Sequence, residues 1–308
     1  MKFYDFLSSR RLGLEFQSDQ LRLVLLRKTR RRFFLERADT LSLPVTVLTE
    51  KKENSWQIIS ASLADYVKRY KLTGIATAIS VPANYVMMQP MQVPSDLSHE
   101  AITSDISEKV QRDLRIMSDT LCIDYTIIQT LADSTKIFFA AMSKTSMASY
   151  VDCMHEAGLS LKIIDIDVFS FNRAVCLALS WDMDREANHG LLFVRNETAI
   201  FMVFQHQRIL FYQTWDLSSG VDFLAQFENR VQQYHAVYSD QTLQRWIVSA
   251  THEYGELISK HYRTWQVETI DATTHTLFLS HAMSQSLQVV SADFFVACGA
   301  ALQEFPLW

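Results

Sequence analysis

AMSKTSMASYVDCMHEAGLSLKIIDIDVFSFNRAV, residues 141–175, is the stretch from which the fold is read. Met147, Val151, Met154 and Ala157 recur at helical spacing and predict a helix with one apolar side. Gly158 follows, the residue type that most readily takes the left-handed conformation at a helix end. Leu161, Ile163, Ile164 and Ile166 then form a short apolar strand, with Asp165 and Asp167 bracketing its end. Asp167 is placed to cap a helix starting at Val168. An apolar strand entered from one helix and left into another predicts an α/β sheet covered on both faces.

Working outward, residues 11–43 read as a β-meander: Leu12–Phe16, a turn at Gln17–Gln20, Leu21–Leu26, a basic turn, then Arg32–Leu43. Ile58–Tyr70 predicts a helix with Ile59, Leu63, Tyr66 and Val67 on one side, and Ile75–Val81 a buried strand stopped by Pro82. Tyr85–Val93 is extended, Ala101–Leu114 is a polar amphipathic helix, and Leu121–Gln129 and Lys136–Ala141 are strands. These close a small α+β insert. Beyond Gly190 the strands are Leu191–Arg195, Thr198–Phe204 and Arg208–Trp215, followed by a helix over Val221–Tyr238. Strand Arg245–Ala250, helix Tyr254–Tyr262, a short strand near Val267–Ile270 and a closing helix Ser291–Phe305 complete the reading. The expected division is residues 1–83 as a first half-domain, 84–145 as the insert, 146–189 as a connecting helix-strand-helix, and 190–308 as a second half-domain.

The chain has 308 residues, 48% hydrophobic and 20% charged, which supports a sizeable core and argues against wholesale disorder. A formal charge of −5 excludes a general nucleic-acid role. Cys122, Cys153, Cys176 and Cys298 sit among apolar neighbours without a C-x-x-C pair and read as buried free thiols of a reducing cytoplasm. No apolar run reaches the roughly 18 residues of a membrane span, and the N-terminus lacks a signal-peptide core, so a soluble protein is expected.

The order helix, Ala157-Gly158-Leu159, strand ending in D-x-D, helix with Asn172-Arg173-Ala174 resembles the join between the halves of the actin-like type IV pilus assembly protein PilM family. Val81–Val86 (V-P-x-N-Y-V), Met91–Leu97 (M-Q-V-P-x-D-L), Leu121–Ile127 (L-C-I-D-Y-T-I) and Ala297–Leu302 (A-x-G-x-A-L) resemble it too. The resemblance runs from Leu12 to Phe305 and is nearest to a divergent, HofM- and MshI-like branch. It implies a two-lobed actin-like (ribonuclease H-like) α/β fold, with the insert displaced from actin's usual position as in FtsA. Trp215–Gly220 joins the third strand to the long helix almost directly, so the fourth subdomain looks reduced and the cleft between the lobes shallower.

An actin-like fold holds ATP-Mg on two glycine-containing hairpin turns and an adenosine turn, because backbone N–H groups must approach phosphate closely. Where the family has D-I-G-S, this chain has Glu15-Phe16-Gln17-Ser18. The second turn reads Val194-Arg195-Asn196-Glu197, and the adenosine turn Ser249-Ala250-Thr251-His252, again without glycine. Glu15, Ser18, Arg195, Asn196 and Ser249 are therefore counterparts of a degenerate nucleotide pocket. No cofactor and no enzymatic activity are expected; ATP-Mg belongs to the competing reading of a nucleotide-regulated ATPase, in which Arg195 pairs with a phosphate.

The resemblance implies a cytoplasmic scaffold peripheral to the inner membrane of a Gram-negative bacterium, in a type IV pilus or DNA-uptake machine. It would bind the cytoplasmic tail of a PilN-like single-pass membrane protein, with pilus motor proteins as indirect partners, in a groove beside the insert. Tyr85, Met87 and Ile127 are the groove candidates, with burial in the insert core as the competing assignment. A GspL-like type II secretion component is a further alternative. His252-Glu253-Tyr254-Gly255-Glu256 begins like a zinc-protease H-E-x-x-H but ends in Glu256, so no metal site is expected. Arg27-Lys28-Thr29-Arg30-Arg31-Arg32 is the densest charge run; it reads as a solvated hairpin tip or as a contact for anionic lipid or an acidic partner.

Overall fold

The computed structural model describes residues 9–17, 19–28, 33–43, 55–114, 121–179, 188–195, 198–205, 208–217, 222–238, 243, 245–249, 252–270, 276–281 and 287–303. They fall into two compact units, one of residues 1–86, 142–181 and 276–308, the other of 87–141 and 182–275.

The first unit is built on strands β1 (Ser9–Phe16), β2 (Gln20–Lys28) and β3 (Phe33–Ser42), an antiparallel meander. Helix α1 (Ser55–Arg69) leads to β4 (Ala76–Val81), parallel to β1, and helix α3 (Lys144–Glu156) leads to β8 (Ser160–Ile166), parallel to β4. Helix α4 (Asp167–Ala178) follows. Gly158 has φ +78° and turns the chain out of α3, the role its position predicts. The α4 start differs by one residue from expectation: Asp167 is the first helical residue, and its Oδ1 accepts from the N–H groups of Val168 (2.7 Å) and Ala83 (3.0 Å). The Asp167 carboxylate thus ties the first turn of the helix to the turn after β4.

Successive strand residues face opposite sides. Phe16 on β1 meets Trp56 of α1 and Tyr150 of α3, at ring-centroid distances of 6.0 and 5.0 Å. Gly13 on the other face meets helix α7 (Phe295–Leu302), where a Cβ would run into the carbonyl oxygen of Ala297. Layers of α1/α3 and α4/α7 therefore cover opposite faces of this sheet.

Two corrections to the expected division follow. Strand β8 belongs to the first sheet and its flanking helices to the same unit, so 146–181 is part of that unit and 182–189 of the second. The chain also returns to the first sheet after residue 275: β14 (Thr276–His281) pairs with β3, β15 (Leu287–Ser291) pairs with β14, and the order is β15-β14-β3-β2-β1-β4-β8. This hairpin has no counterpart in the sequence reading. Among the described residues its register with β3 is Ser280↔Phe34 and His281↔Leu35, a long-range match that local pattern does not announce. The closing helix starts at Phe295, four residues later than expected.

The second unit repeats the plan. Strands β9 (His189–Arg195), β10 (Thr198–Gln205) and β11 (Arg208–Asp216) form an antiparallel meander. Helix α5 (Phe223–Val237), strand β12 (Arg245–Ser249), helix α6 (His252–His261) and strand β13 (Gln266–Thr269) follow. The order β11-β10-β9-β12-β13, with β12 parallel to β9 and β13, mirrors β3-β2-β1-β4-β8. Phe201, Phe227, Tyr234 and Trp246 are fully buried in its core. Burial of each such side chain contributes about 2–3 kcal/mol. Two copies of one three-plus-two sheet are the duplicated, ribonuclease H-like plan of an actin-like fold. The junction between β11 and α5 runs from Asp216 to Phe223, with 218–221 outside the described residues.

The insert consists of β5 (Met87–Pro94), α2 (His99–Leu114), β6 (Leu121–Thr130) and β7 (Ser134–Ser143), its sheet ordered β5-β7-β6. Helix α2 covers one face through Ile102, Ile106 and Val110 against Ile137 and Phe139. The other face meets the second sheet: Phe138 lies edge-on to Tyr212, 5.3 Å between ring centroids. Lys136 Nζ donates to Tyr238 Oη (3.0 Å), which donates to the Leu210 carbonyl (2.8 Å). The four cysteines are free thiols, but Cys122 and Cys176 are half-buried, not fully buried as expected, since one lies on a sheet edge and the other on an outer helix turn.

Candidate functional site

In the first unit, the turn after β1 is filled by its own side chains. Gln17 Nε2 donates to Glu15 Oε1 (2.9 Å), Gln20 Nε2 donates to Gln17 Oε1 (2.7 Å), and the Gln17 N–H donates to the Gln20 carbonyl (3.0 Å). Glu15 is 2% exposed. A backbone N–H already donating within the turn is not offered to an anion. Ser18 lies outside the described residues.

The carboxylates at the neighbouring strand ends are engaged as well. Asp165 Oδ1 accepts from the Ile166 N–H (2.8 Å), and its Oδ2 accepts from Ser170 Oγ (2.7 Å) and Arg173 Nη1 (3.0 Å). Arg173 Nη1 also reaches the Gly299 carbonyl (2.7 Å), and Ser80 Oγ donates to Ser170 Oγ (2.6 Å). This chain of contacts links β4, β8, α4 and α7. It is a structural brace.

In the second unit, Arg195 pairs with Thr198 across the β9–β10 turn, and its guanidinium lies 5.2 Å from the Phe193 ring centroid. Asn196 is outside the described residues. Ser249 ends β12, opposite Phe193, and 250–251 are again outside them. His189, at the start of β9, is buried and stacked on Phe204; desolvation first, and the nearby Arg245 charge second, lower its pKa to about 4.

The groove candidates separate. Tyr85, in a 3-10 turn of the first unit, is 41% exposed, and Ile127 on β6 is 51% exposed. Met87 is half-buried and packs on the insert core, as the competing assignment held. Structure describes the setting of three further residues of the insert. Leu131, just past β6, is 47% exposed. His99 Nδ1 and Tyr125 Oη are 2.9 Å apart, with their rings stacked at 5.3 Å. Only the period-2 pattern of β6, which puts Tyr125 and Ile127 on one face, signalled any of this.

Residues 13–242 match the family model described as type IV pilus assembly protein PilM. The chain belongs to that family. No curated protein matches it by sequence. A chain of a solved PilM–PilN type IV pilus biogenesis complex is 15% identical, with 95% of this chain and 97% of that one covered at a TM-score of 0.68. The cytoplasmic domain of EpsL, an inner-membrane component of the type II secretion system of Vibrio cholerae, is 8% identical at a TM-score of 0.50, covering 96% and 97%. At these identities the two likenesses establish the fold.

In this PilM-family chain, Glu15, Arg195 and Ser249 sit at three strand ends, each held within its own unit. Glu256, where H-E-x-x-H requires its second histidine, pairs with Lys260 Nζ at 2.6 Å. Among the described residues no group of three His, Cys, Asp or Glu could hold a metal ion, and no helix is long and apolar enough to cross a membrane.

Proposed function

We propose that the chain is a non-enzymatic actin-like scaffold of a type IV pilus inner-membrane assembly complex that captures the cytoplasmic tail of a PilN-like membrane protein. The PilM family match over residues 13–242 carries this reading. The first-turn geometry supports the absence of a nucleotide role: the Gln17 amide and N–H are spent on Glu15 and Gln20, and Asp165 and Asp167 hold structural partners. The tail would dock beside the insert, with Ile127 as an apolar anchor. Such a scaffold works on the cytoplasmic side of the inner membrane, held there by its partner.

The test is a pull-down of the tagged full chain from solubilised inner membranes, with Ile127→Asp as comparison. Recovery of a single-pass protein with a short cytoplasmic tail, lost in the variant, is expected. Recovery of no membrane protein would overturn the scaffold reading; equal recovery by Ile127→Asp would overturn the placement of the docking site.

A further inference from the structure

We propose that the outer edge of β6 takes up an extended, cationic peptide segment as an added strand, joined main chain to main chain, with alternate apolar side chains laid over Ile127. The inference rests on the reading of the insert as the place where a partner's tail docks, and it specifies the chemistry of that tail. Strand β6 ends the sheet order β5-β7-β6, and among the described residues no strand lies beside its outer edge. An unpaired edge presents main-chain N–H and C=O groups to other chains, so proteins blunt edges with proline, charge or short strands. The opposite edge of this sheet is blunted: β5 carries Pro90 and Pro94, which have no N–H to offer. Strand β6 is not. Its sequence, LCIDYTIIQT, has no proline, lysine or arginine.

Hydrogen bonding at the turn shows which groups are on offer. The Leu131 N–H donates to the Ser134 carbonyl (2.7 Å), so position 131 faces β7. Alternation then turns the N–H and C=O groups of Thr126, Ile128 and Thr130 away from β7, to the outer edge. Thr126, Ile127, Gln129, Thr130 and Leu131 are exposed along this approach. An added strand would cover Ile127 and Leu131, two large apolar side chains that otherwise face water.

Charge selects the occupant. Asp96, Glu100, Asp124 and Asp133 are exposed, and residues 72–108 and 121–135 contain no lysine or arginine. Ser95 Oγ donates to the Ala132 carbonyl (3.2 Å), which sets Asp96 beside the turn that carries Asp133. Lys109 pairs with Asp113 (3.0 Å) and Lys136 donates to Tyr238, so neither offsets these acids. A second copy of β6 would bring the acids against their own equivalents, whereas a segment carrying Lys or Arg is drawn in. Cytoplasmic segments beside a membrane span carry such residues.

The experiment is fluorescence anisotropy of the full chain with a labelled peptide, Lys-Thr-Val-Thr-Val-Thr-Lys, and with its counterpart carrying Glu for Lys. The lysine peptide should bind, less tightly as salt is raised, and the glutamate peptide at least about tenfold more weakly. Methylating the backbone nitrogens of the lysine peptide should abolish binding, because an added strand donates them; methylating its Nζ atoms, which keeps the charge, should not. Ile128→Pro removes an N–H on the outer edge; it should keep the parent's circular dichroism and lower binding at least about tenfold. If that variant does not fold, the methylated peptides decide the question on the parent chain. Absence of binding at millimolar lysine peptide, equal binding of both charge forms, or undiminished binding after backbone methylation would overturn the proposal. So would a dimer of the full chain that Ile128→Pro dissolves, which gives the edge to a second copy. Failure of the peptides alongside a membrane pull-down that still depends on Ile127 would remove the added strand and leave the docked tail standing.

Discussion

Gln17 donates from its side-chain amide to Glu15 at 2.9 Å, across the turn where an actin-like fold would admit phosphate. The glutamine does more than lack glycine's freedom. Its side-chain amide is engaged by the carboxylate two residues before it on the same strand end.

The nucleotide consequence is measurable by thermal shift. A ligand that binds only the folded state stabilises it by RT ln(1 + [L]/Kd), about 2.7 kcal/mol at a hundredfold excess over Kd. With the first turn filled, millimolar ATP-Mg should leave the melting midpoint unmoved. A midpoint that climbs with ATP concentration would restore the ATPase reading.

Helix α7 meets strand β1 and helix α4 at van der Waals range, each through a glycine. A Cβ at Gly13 would strike the Ala297 carbonyl, and one at Gly299 the Ser170 carbonyl, both backbone atoms that cannot step aside. Overpacking of this kind costs about 1–3 kcal/mol, more where backbone must shift. Gly13→Ala and Gly299→Ala should each lower the unfolding free energy by at least that amount, read as a lower urea midpoint with the slope unchanged.

The docking of the insert on the second sheet turns on Tyr238. Tyr238→Phe deletes the hydroxyl between Lys136 Nζ and the Leu210 carbonyl and should cost about 1–2 kcal/mol in denaturant unfolding. In a cycle with Lys136→Met the two losses should fall short of additivity, because both remove the same contact. Additive losses would show that the pair is not coupled.

His189 sets a pH dependence. Its folded pKa of about 4 lies below the ordinary 6.5, because burial disfavours the charged ring. Between those values the unfolded chain binds the extra proton, so stability is full above 6.5 and falls as pH drops toward 4. The loss amounts to up to about 3 kcal/mol at the low end. Comparing denaturation of the parent and His189→Gln across this window should show a shallower slope in the variant.

Much of this was legible in the chain. Apolar runs such as Leu161–Ile166, glycine at position 158 and the proline after Val81 are local signals, and each marks the element or boundary it predicts. The loss of glycine at position 17 was equally plain, and with it the suspicion of a spoiled phosphate turn. The exposure of Ile127 against the half-buried packing of Met87 was not: both belong to alternating strands, and only packing decides which face is covered.

From residue order alone came the kinds of element, their succession and the duplicated plan, because periodicity and turn chemistry act between near neighbours. Tertiary structure decided that residues 276–302 rejoin the first sheet, that the insert is braced to β11 through Lys136 and Tyr238, and that Arg173 ties Asp165 to Gly299. These contacts join residues far apart in the chain. Their partners are selected by hydrogen-bond geometry and close packing in the folded state, which no window of sequence contains.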